Sequence, residues 1–229
     1  MAKSKKNQEF EKQDEQHQEV NEALTGAGKW IEDNSSLLSW IVTGIIIVVG
    51  GAILLNQYVF APKGLEASNE NAKAVVYFQA GDFDKALNGD DAECIGFEAI
   101  ADQYGLFLQG KLAALYAGIC YYEKGEYEEA AKYLKKFSAK DLTIDPAANQ
   151  LLGDAYVELG EYSKAISAFE AAAKSGNELI APMSLKKAGI VYMHEGKNAK
   201  AKKAFERIKA DYPESNEAQE IDKYIAVAE

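Results

Sequence analysis

The chain has 229 residues, of which 48% are hydrophobic and 27% charged, and a formal net charge of −11. That length and apolar share allow a sizeable buried core. The acidic balance argues against a nucleic-acid partner and against a surface that hugs anionic lipid headgroups.

Residues 1–36 are rich in Gln, Glu and Lys, with Phe10 and Val20 as isolated apolar positions up to Glu22. Such a stretch buries too little apolar surface to fold, so a largely disordered polar arm is expected, acting as a solubilising tail or touching a partner. Closer to the apolar run, Leu24, Trp30 and Ile31 predict a short interfacial helix, broken at Gly26 and Gly28.

No charge lies between Asp33 and Lys63, and residues 37–55 read LLSWIVTGIIIVVGGAILL. About 20 such residues span the hydrocarbon core of a bilayer. Trp40 near one end, with Tyr58 and Phe60 near the other, suits the aromatic belts at the two interfaces. Residues 37–60 are therefore expected to be a transmembrane anchor. A cleaved signal peptide fits poorly: the preceding segment is long and acidic, the apolar run is too long, and Pro62 follows the candidate site at Val59-Phe60-Ala61. No Cys near the end of the run offers a lipoprotein anchor. Gly44, Gly50 and Gly51 do not make a GxxxG face.

Lys3, Lys5, Lys6, Lys12 and Lys29 favour a cytoplasmic amino terminus, while Lys63 and Lys73 on the other flank oppose it. The long domain that follows would translocate largely regardless of charge. The expected topology is single-pass, amino terminus inside and the domain outside.

Residues 61–229 carry a repeat. The pattern Gly118-x2-Tyr121-x3-Gly125-x-Tyr127-x2-Ala130 returns as Gly153-x2-Tyr156-x3-Gly160-x-Tyr162-x2-Ala165. It returns again as Gly189-x2-Tyr192-x3-Gly196-x-Asn198-x2-Ala201, the alanines lying 35 and 36 residues apart. A period of about 34 residues is that of a helix–turn–helix unit stacked into a solenoid. Each first glycine lets two helices approach, each tyrosine three residues on shares its face, and Gly125, Gly160 and Gly196 end the first helix in a left-handed conformation. Ala130, Ala165 and Ala201 sit at the tight crossing of the second helix, and Leu134, Phe169 and Phe205, four positions on, are large apolar plugs. A degraded fourth unit precedes them at Tyr77-x3-Gly81-x-Phe83-x2-Ala86. Its surplus length falls in the turn-rich residues 88–91, after which Phe97, Ile100, Ala101 and Tyr104 resume helical spacing. Residues 215–227, with Ala218, Ile221, Tyr224 and Ile225, predict a helix that caps the last apolar face.

These units resemble the tetratricopeptide repeat, with its pattern W-x2-L-G-x2-Y, then A-x3-F, then P. Asn149-x2-Leu152-Gly153-x2-Tyr156 and Ala165-x3-Phe169 follow it, and Ala201-x3-Phe205 is followed by Pro213. The Trp position is Ala114, Asn149 and Leu185 in the three units. The expected fold is all-α: one amino-terminal transmembrane helix, then a tetratricopeptide-type α-solenoid of about four helix pairs with a capping helix, about nine helices in the domain.

A solenoid of this kind binds on its concave face, lined by the first helix of each unit. By register that face takes Leu115, Ile119, Tyr122 and Glu123, then Gln150, Asp154, Val157 and Glu158, then Lys186, Ile190, Met193 and His194. Repeats that grip chaperone carboxy-terminal acids carry Lys and Asn here, whereas this chain has Asp154 and Ile190 where asparagine is needed. A mixed apolar and acidic groove suits a helix or an extended apolar segment. With the first 60 residues set aside, five basic and eight acidic, about −8 remains on the solenoid side, which suits a basic protein patch, an emerging unfolded chain or plain solvation.

Enzyme chemistry finds no footing. His17, His194, Cys94 and Cys120 are not spaced as a metal site. Cys120 occupies a core-like position, and Cys94 beside the insertion is expected to be exposed; one disulfide is permitted but not required. Gly26-Ala27-Gly28 neither follows a strand nor opens a strong helix, so it is no phosphate loop. No acid, base and nucleophile set assembles, and no cofactor or small-molecule substrate is implied.

The layout of polar arm, uncleaved anchor and acidic solenoid resembles the ancillary subunit of the SecYEG translocon over residues 20–229. Residues 77–86, YFQAGDFDKA, and 206–213, ERIKADYP, carry the likeness, while the insertion at 88–91 and the longer arm depart from it. The resemblance implies a protein of the bacterial inner membrane beside the protein-conducting channel, its solenoid meeting secreted chains or periplasmic chaperones. Two other readings stay open: an assembly or structural factor of another envelope complex, such as a secretion or cell-division machine, and an enzyme's accessory subunit with a cytoplasmic solenoid.

Overall fold

In a computed structural model, the chain is described at Trp30, residues 33–90 and residues 93–229. Most of the polar arm, and the interfacial helix expected around Leu24 and Ile31, lie outside the described residues. The chain divides into two units, Met1–Ala61 and Pro62–Glu229.

The first unit holds α1, Ser35–Leu55, followed by a π-helical turn at Asn56–Phe60. Its most apolar stretch has a mean hydropathy of 2.5 and no buried residue, and Trp40 is 75% exposed. Two hydroxyls within the helix bond back to it: Ser39 donates to the Ser35 carbonyl (2.7 Å) and Thr43 to the Ser39 carbonyl (2.8 Å). Among the described residues this is the one helix long and apolar enough to cross a membrane.

The second unit is all-helical. Its elements are α2 (Ala61–Gln79), α3 (Phe83–Asn88), α4 (Gly96–Gln103), α5 (Leu108–Glu123) and α6 (Tyr127–Leu134). They continue with α7 (Ile144–Glu158), α8 (Tyr162–Ala173), α9 (Ile180–His194), α10 (Asn198–Asp211) and α11 (Asn216–Val227). Three hairpins, α5–α6, α7–α8 and α9–α10, repeat one geometry. Each first helix ends on a glycine at positive φ, Gly125 (77°), Gly160 (71°) and Gly196 (68°). Its N–H bonds three residues back, and the next N–H reaches the tyrosine carbonyl: Glu126 to Tyr121 (2.9 Å), Glu161 to Tyr156 (2.8 Å), Lys197 to Tyr192 (2.8 Å). This is the Schellman closure, in which a residue four positions before the glycine supplies the last accepted carbonyl. The Tyr-x3-Gly spacing in the sequence is therefore a hydrogen-bonding distance. Gly81 (φ 74°) repeats it, with Asp82 N–H on the Tyr77 carbonyl (3.0 Å), so the degraded unit closes in the same way.

Within each hairpin a bare Cα faces the plug. A Cβ on Gly118 would stand 2.6 Å from Leu134 Cγ, one on Gly153 2.4 Å from Phe169 Cε1, and one on Gly189 2.2 Å from Phe205 Cε1. Phe169 and Phe205 are 1% and 0% exposed, and Ala130, Ala165 and Ala201 are all at 0%. The tyrosines knit unit to unit through the preceding second helix: Tyr121, stacked on Tyr133 of its own hairpin (5.5 Å), donates to Glu98, and Tyr192 donates to Glu170 (2.6 Å). At the end of the stack, Ser215 caps α11 through Ala218 N–H (3.2 Å), and Ile221 is fully buried.

Among the described residues of the second unit ten helices stand where about nine were expected, because the second helix of the degraded unit is split into α3 and α4. The insertion also corrects the expectation for Cys94, which is 3% exposed. Asp90 accepts from the N–H groups of Glu93 (2.7 Å) and Cys94 (3.0 Å) and from the Tyr77 hydroxyl, and its own N–H donates to the Cys94 carbonyl (2.9 Å), while Cys94 itself joins the core cluster around Phe97 and Ile100. Both cysteines are free and buried, and burial pushes the Cys120 thiol up to about 12, away from nucleophilic character.

Gly153→Ala should lower unfolding stability by about 1–3 kcal/mol through overpacking, measured by thermal melting of the full chain in detergent. Phe169→Leu in the same chain should restore part of the loss. If the double variant shows simple additivity, the glycine–plug contact is not the cause.

Candidate protein-binding site

The first helices α5, α7 and α9 run side by side in the same direction, and polar contacts about one repeat apart join α7 to α9. Gln150 on α7 accepts from the fully buried Ser184 hydroxyl on α9 (3.1 Å) and donates to Met183 Sδ (3.1 Å). One turn on, Lys187 on α9 reaches both carboxylate oxygens of Asp154 on α7 (2.6 and 2.8 Å). Burial pushes the Asp154 carboxyl above its usual range, and the Lys187 hydrogen bond only partly opposes that. Lys186 pairs with Glu220, which ties α9 to α11.

Against this frame, the residues assigned to the inner face sort into groups. Leu115, Tyr122, Val157 and Met193 are half-buried and pack on the core. Gln150, Asp154 and Lys186 are held by the inter-repeat contacts. Ile119 is half-buried, while Glu123, Glu158, Ile190 and His194 are exposed, Ile190 at 43%. Tyr122 lies near Asp154 and Glu158: burial first, then those two carboxylates, raise its phenol above the usual value. His194 packs on Tyr162, ring centroids 4.3 Å apart. The solvent-facing part of the face is thus apolar at its isoleucines and acidic at its glutamates.

The register missed Lys187 and Ser184, which do more to shape the face than their neighbour Lys186. Complementary residues 33 or 34 positions apart, such as Asp154 with Lys187 and Gln150 with Ser184, were the available signal. Also missed was a cleft of about 530 Å³ between α8, α9 and α10, where Lys174, Lys200, Lys203 and Arg207 surround Tyr192 and Glu170. Among the described residues no group of His, Cys, Asp and Glu is arranged to hold a metal.

The family model for the T7SS, ESX-1 secretion system protein EccA1, N-terminal domain, matches residues 67–222. No curated protein matches the chain. Among solved structures, it is similar to one of MamA at 23% identity, covering 68% of this chain and 91% of that one, TM-score 0.50. A second MamA structure shares 22% identity over 73% of this chain and 91% of its own, TM-score 0.51. A Podosopora anserina putative kinesin light chain with nearly identical TPR-like repeats shares 16%, covering 72% and 85%, TM-score 0.52. At these identities the likeness concerns the fold, a tetratricopeptide-type solenoid.

The acid strength of Glu220 bears on the inner face directly. Hydrogen bonds from Lys186 and then Lys223 hold its carboxyl at about 2, below the ordinary 4.5. Its stabilising contribution is complete above 4.5 and is lost as pH falls through about 2. The full chain should therefore lose thermal stability across that window, and Glu220→Gln should flatten the loss. Parallel melting curves for the two chains would contradict the pairing.

Proposed function

The chain belongs to the family of the ESX-1 secretion system protein EccA1 N-terminal domain, and from that premise we propose that it is a membrane-anchored scaffold holding protein segments against the inner face of its solenoid. The observation that carries this reading is the sequence order of two features. An apolar helix with no buried residue in its most apolar stretch is followed directly by repeats whose inner face leaves Ile190, Glu123 and Glu158 open to solvent. In this reading α1 crosses the membrane once, with the amino terminus in the cytoplasm. Glu123 and Glu158 select basic residues, and Ile119 and Ile190 select the apolar side of a helix or an extended segment. Tethering raises the local concentration of such a segment, so weak contacts suffice. The scaffold acts without catalysis, cofactor, nucleic acid or small-molecule substrate.

Two machines fit. The layout resembles the ancillary subunit of the SecYEG translocon, which would set the solenoid on the periplasmic side of a bacterial inner membrane, among translocon subunits, secreted chains and periplasmic chaperones. The family's name refers to a secretion system, and that favours the alternative, an assembly or structural factor of another envelope complex.

Proteinase added to spheroplasts with intact inner membranes should digest the solenoid. Protection that ends only on lysis would place it in the cytoplasm and overturn the periplasmic reading. Crosslinking from the same cells then separates the two machines: adducts to the protein-conducting channel support the first, adducts to another envelope complex the second.

A further inference from the structure

Four inter-helix loops lie in a row along one edge of the solenoid: residues 104–107, 135–143 and 174–179, each leading into a first helix, and 212–215, leading into the capping helix α11. Neighbouring loops are joined. Lys136 in the second loop pairs with Asp102 before the first (2.8 Å), and Asn177 in the third donates to the Leu142 carbonyl in the second (3.3 Å). Glu178 in the third and Tyr212, Pro213 and Glu214 in the fourth line one surface recess.

The first three loops each leave a leucine bare: Leu106 is 90% exposed, Leu142 76% and Leu179 70%. They stand 36 and 37 residues apart, so the exposure recurs with the repeat. Leu108 and Ile144, also exposed, flank the first two. An isolated exposed leucine needs no explanation, but a row recurring with the repeat does. The turns hold two of these leucines in place. Asp141 accepts from Thr143 and Ile144 N–H (2.8 and 2.7 Å), around Leu142. Asn177 accepts from Leu179 and Ile180 N–H (3.0 Å each).

Two further observations identify what meets the row. First, the start of α2 lies at this edge: a Cβ on Gly64 would stand 3.9 Å from Gln109, the second residue of α5, and Asn71 donates to the Gln109 carbonyl (2.8 Å). The chain thus enters the solenoid beside the first leucine loop, directly after the apolar run in sequence. Second, the four loops carry Lys135, Lys136, Lys140 and Lys174 against Asp141, Glu178 and Glu214, near neutrality in a chain of −11. The repulsion that keeps the acidic surface from lipid headgroups is relieved here.

We propose that this loop edge is a lipid-contacting surface, with Leu106, Leu142 and Leu179 entering the boundary between headgroups and acyl chains of the bilayer that α1 spans. The proposal rests on the anchored reading given above. Separate leucines at repeat spacing, rather than a continuous groove, suit a fluid surface that requires no shape complementarity.

The test uses the full chain in phosphatidylcholine vesicles whose lipids are brominated near the headgroup end of the acyl chains, with unbrominated vesicles as reference. With Trp30→Phe and Trp40→Phe as background, Leu142→Trp and Leu179→Trp should each lose roughly half of their emission, as expected roughly 5–10 Å into the interface. Ser167→Trp, at an exposed position on α8, should lose none. The native Trp40, alone in the Trp30→Phe chain, reports the anchor. Quenching of Trp40 without quenching of the two leucine variants overturns the edge proposal and leaves the anchor standing. Absence of quenching at Trp40 overturns both. Leucine variants that are unquenched yet shift their emission with protein concentration overturn the lipid contact in favour of self-association.

Discussion

The contact on which the solenoid depends is the one between a bare Cα and a large apolar plug, made once in each hairpin. Gly118 receives Leu134, Gly153 receives Phe169 and Gly189 receives Phe205, at separations no Cβ would allow. Close-packed interiors are intolerant of one added methyl group at such points. Because the approach is nearly the same three times, the first helices end up side by side and parallel, and the inter-repeat loops fall along a common edge. The inner face and the leucine row are both consequences of that one crossing. The positive-φ glycines have a separate duty: they end each first helix so that the second returns at the angle the plug needs.

The sequence was most legible where one residue type does one physical task. Tyr-x3-Gly repeats because the two positions are joined by the helix-ending hydrogen bonds, and Gly-Tyr-Ala-plug repeats because the crossing recurs. It was least legible where a side chain folds the backbone onto itself without a period. Asp90 accepts from the N–H groups of Glu93 and Cys94 between α3 and α4, where Cys94 is buried, and no spacing announces that a carboxylate will accept those N–H groups. The candidate face lies between these cases. Its members could be numbered from the repeat, but which of them remain free depended on pairs between units. Asp154 and Lys186, assigned to the groove as charges open to a ligand, are held by Lys187 and Glu220.

The electrostatics of the second unit divide it by surface. On the inner face the positive charges are drawn into inter-repeat pairs, leaving Glu123 and Glu158 outermost beside the isoleucines. On the outer side, Lys174, Lys200, Lys203 and Arg207 gather around a cleft floored by Tyr192. The loop edge is close to neutral and apolar. An overall charge of −11 therefore describes no single surface of the molecule. The proposed role, a tethered holder of basic, amphipathic segments, rests on the acidic and apolar character of this face and on the apolar helix that precedes it in sequence.

Site-specific photo-crosslinking in living cells tests that claim most directly. A photoreactive residue in place of Ile190, on the inner face, is predicted to give defined adducts to protein partners, and one in place of the exposed Glu158 should give the same set. The same group in place of the exposed Ser167 on α8 should give none. Adducts from Ser167 alone, or no adducts from either inner position, would contradict the inner face as the binding surface.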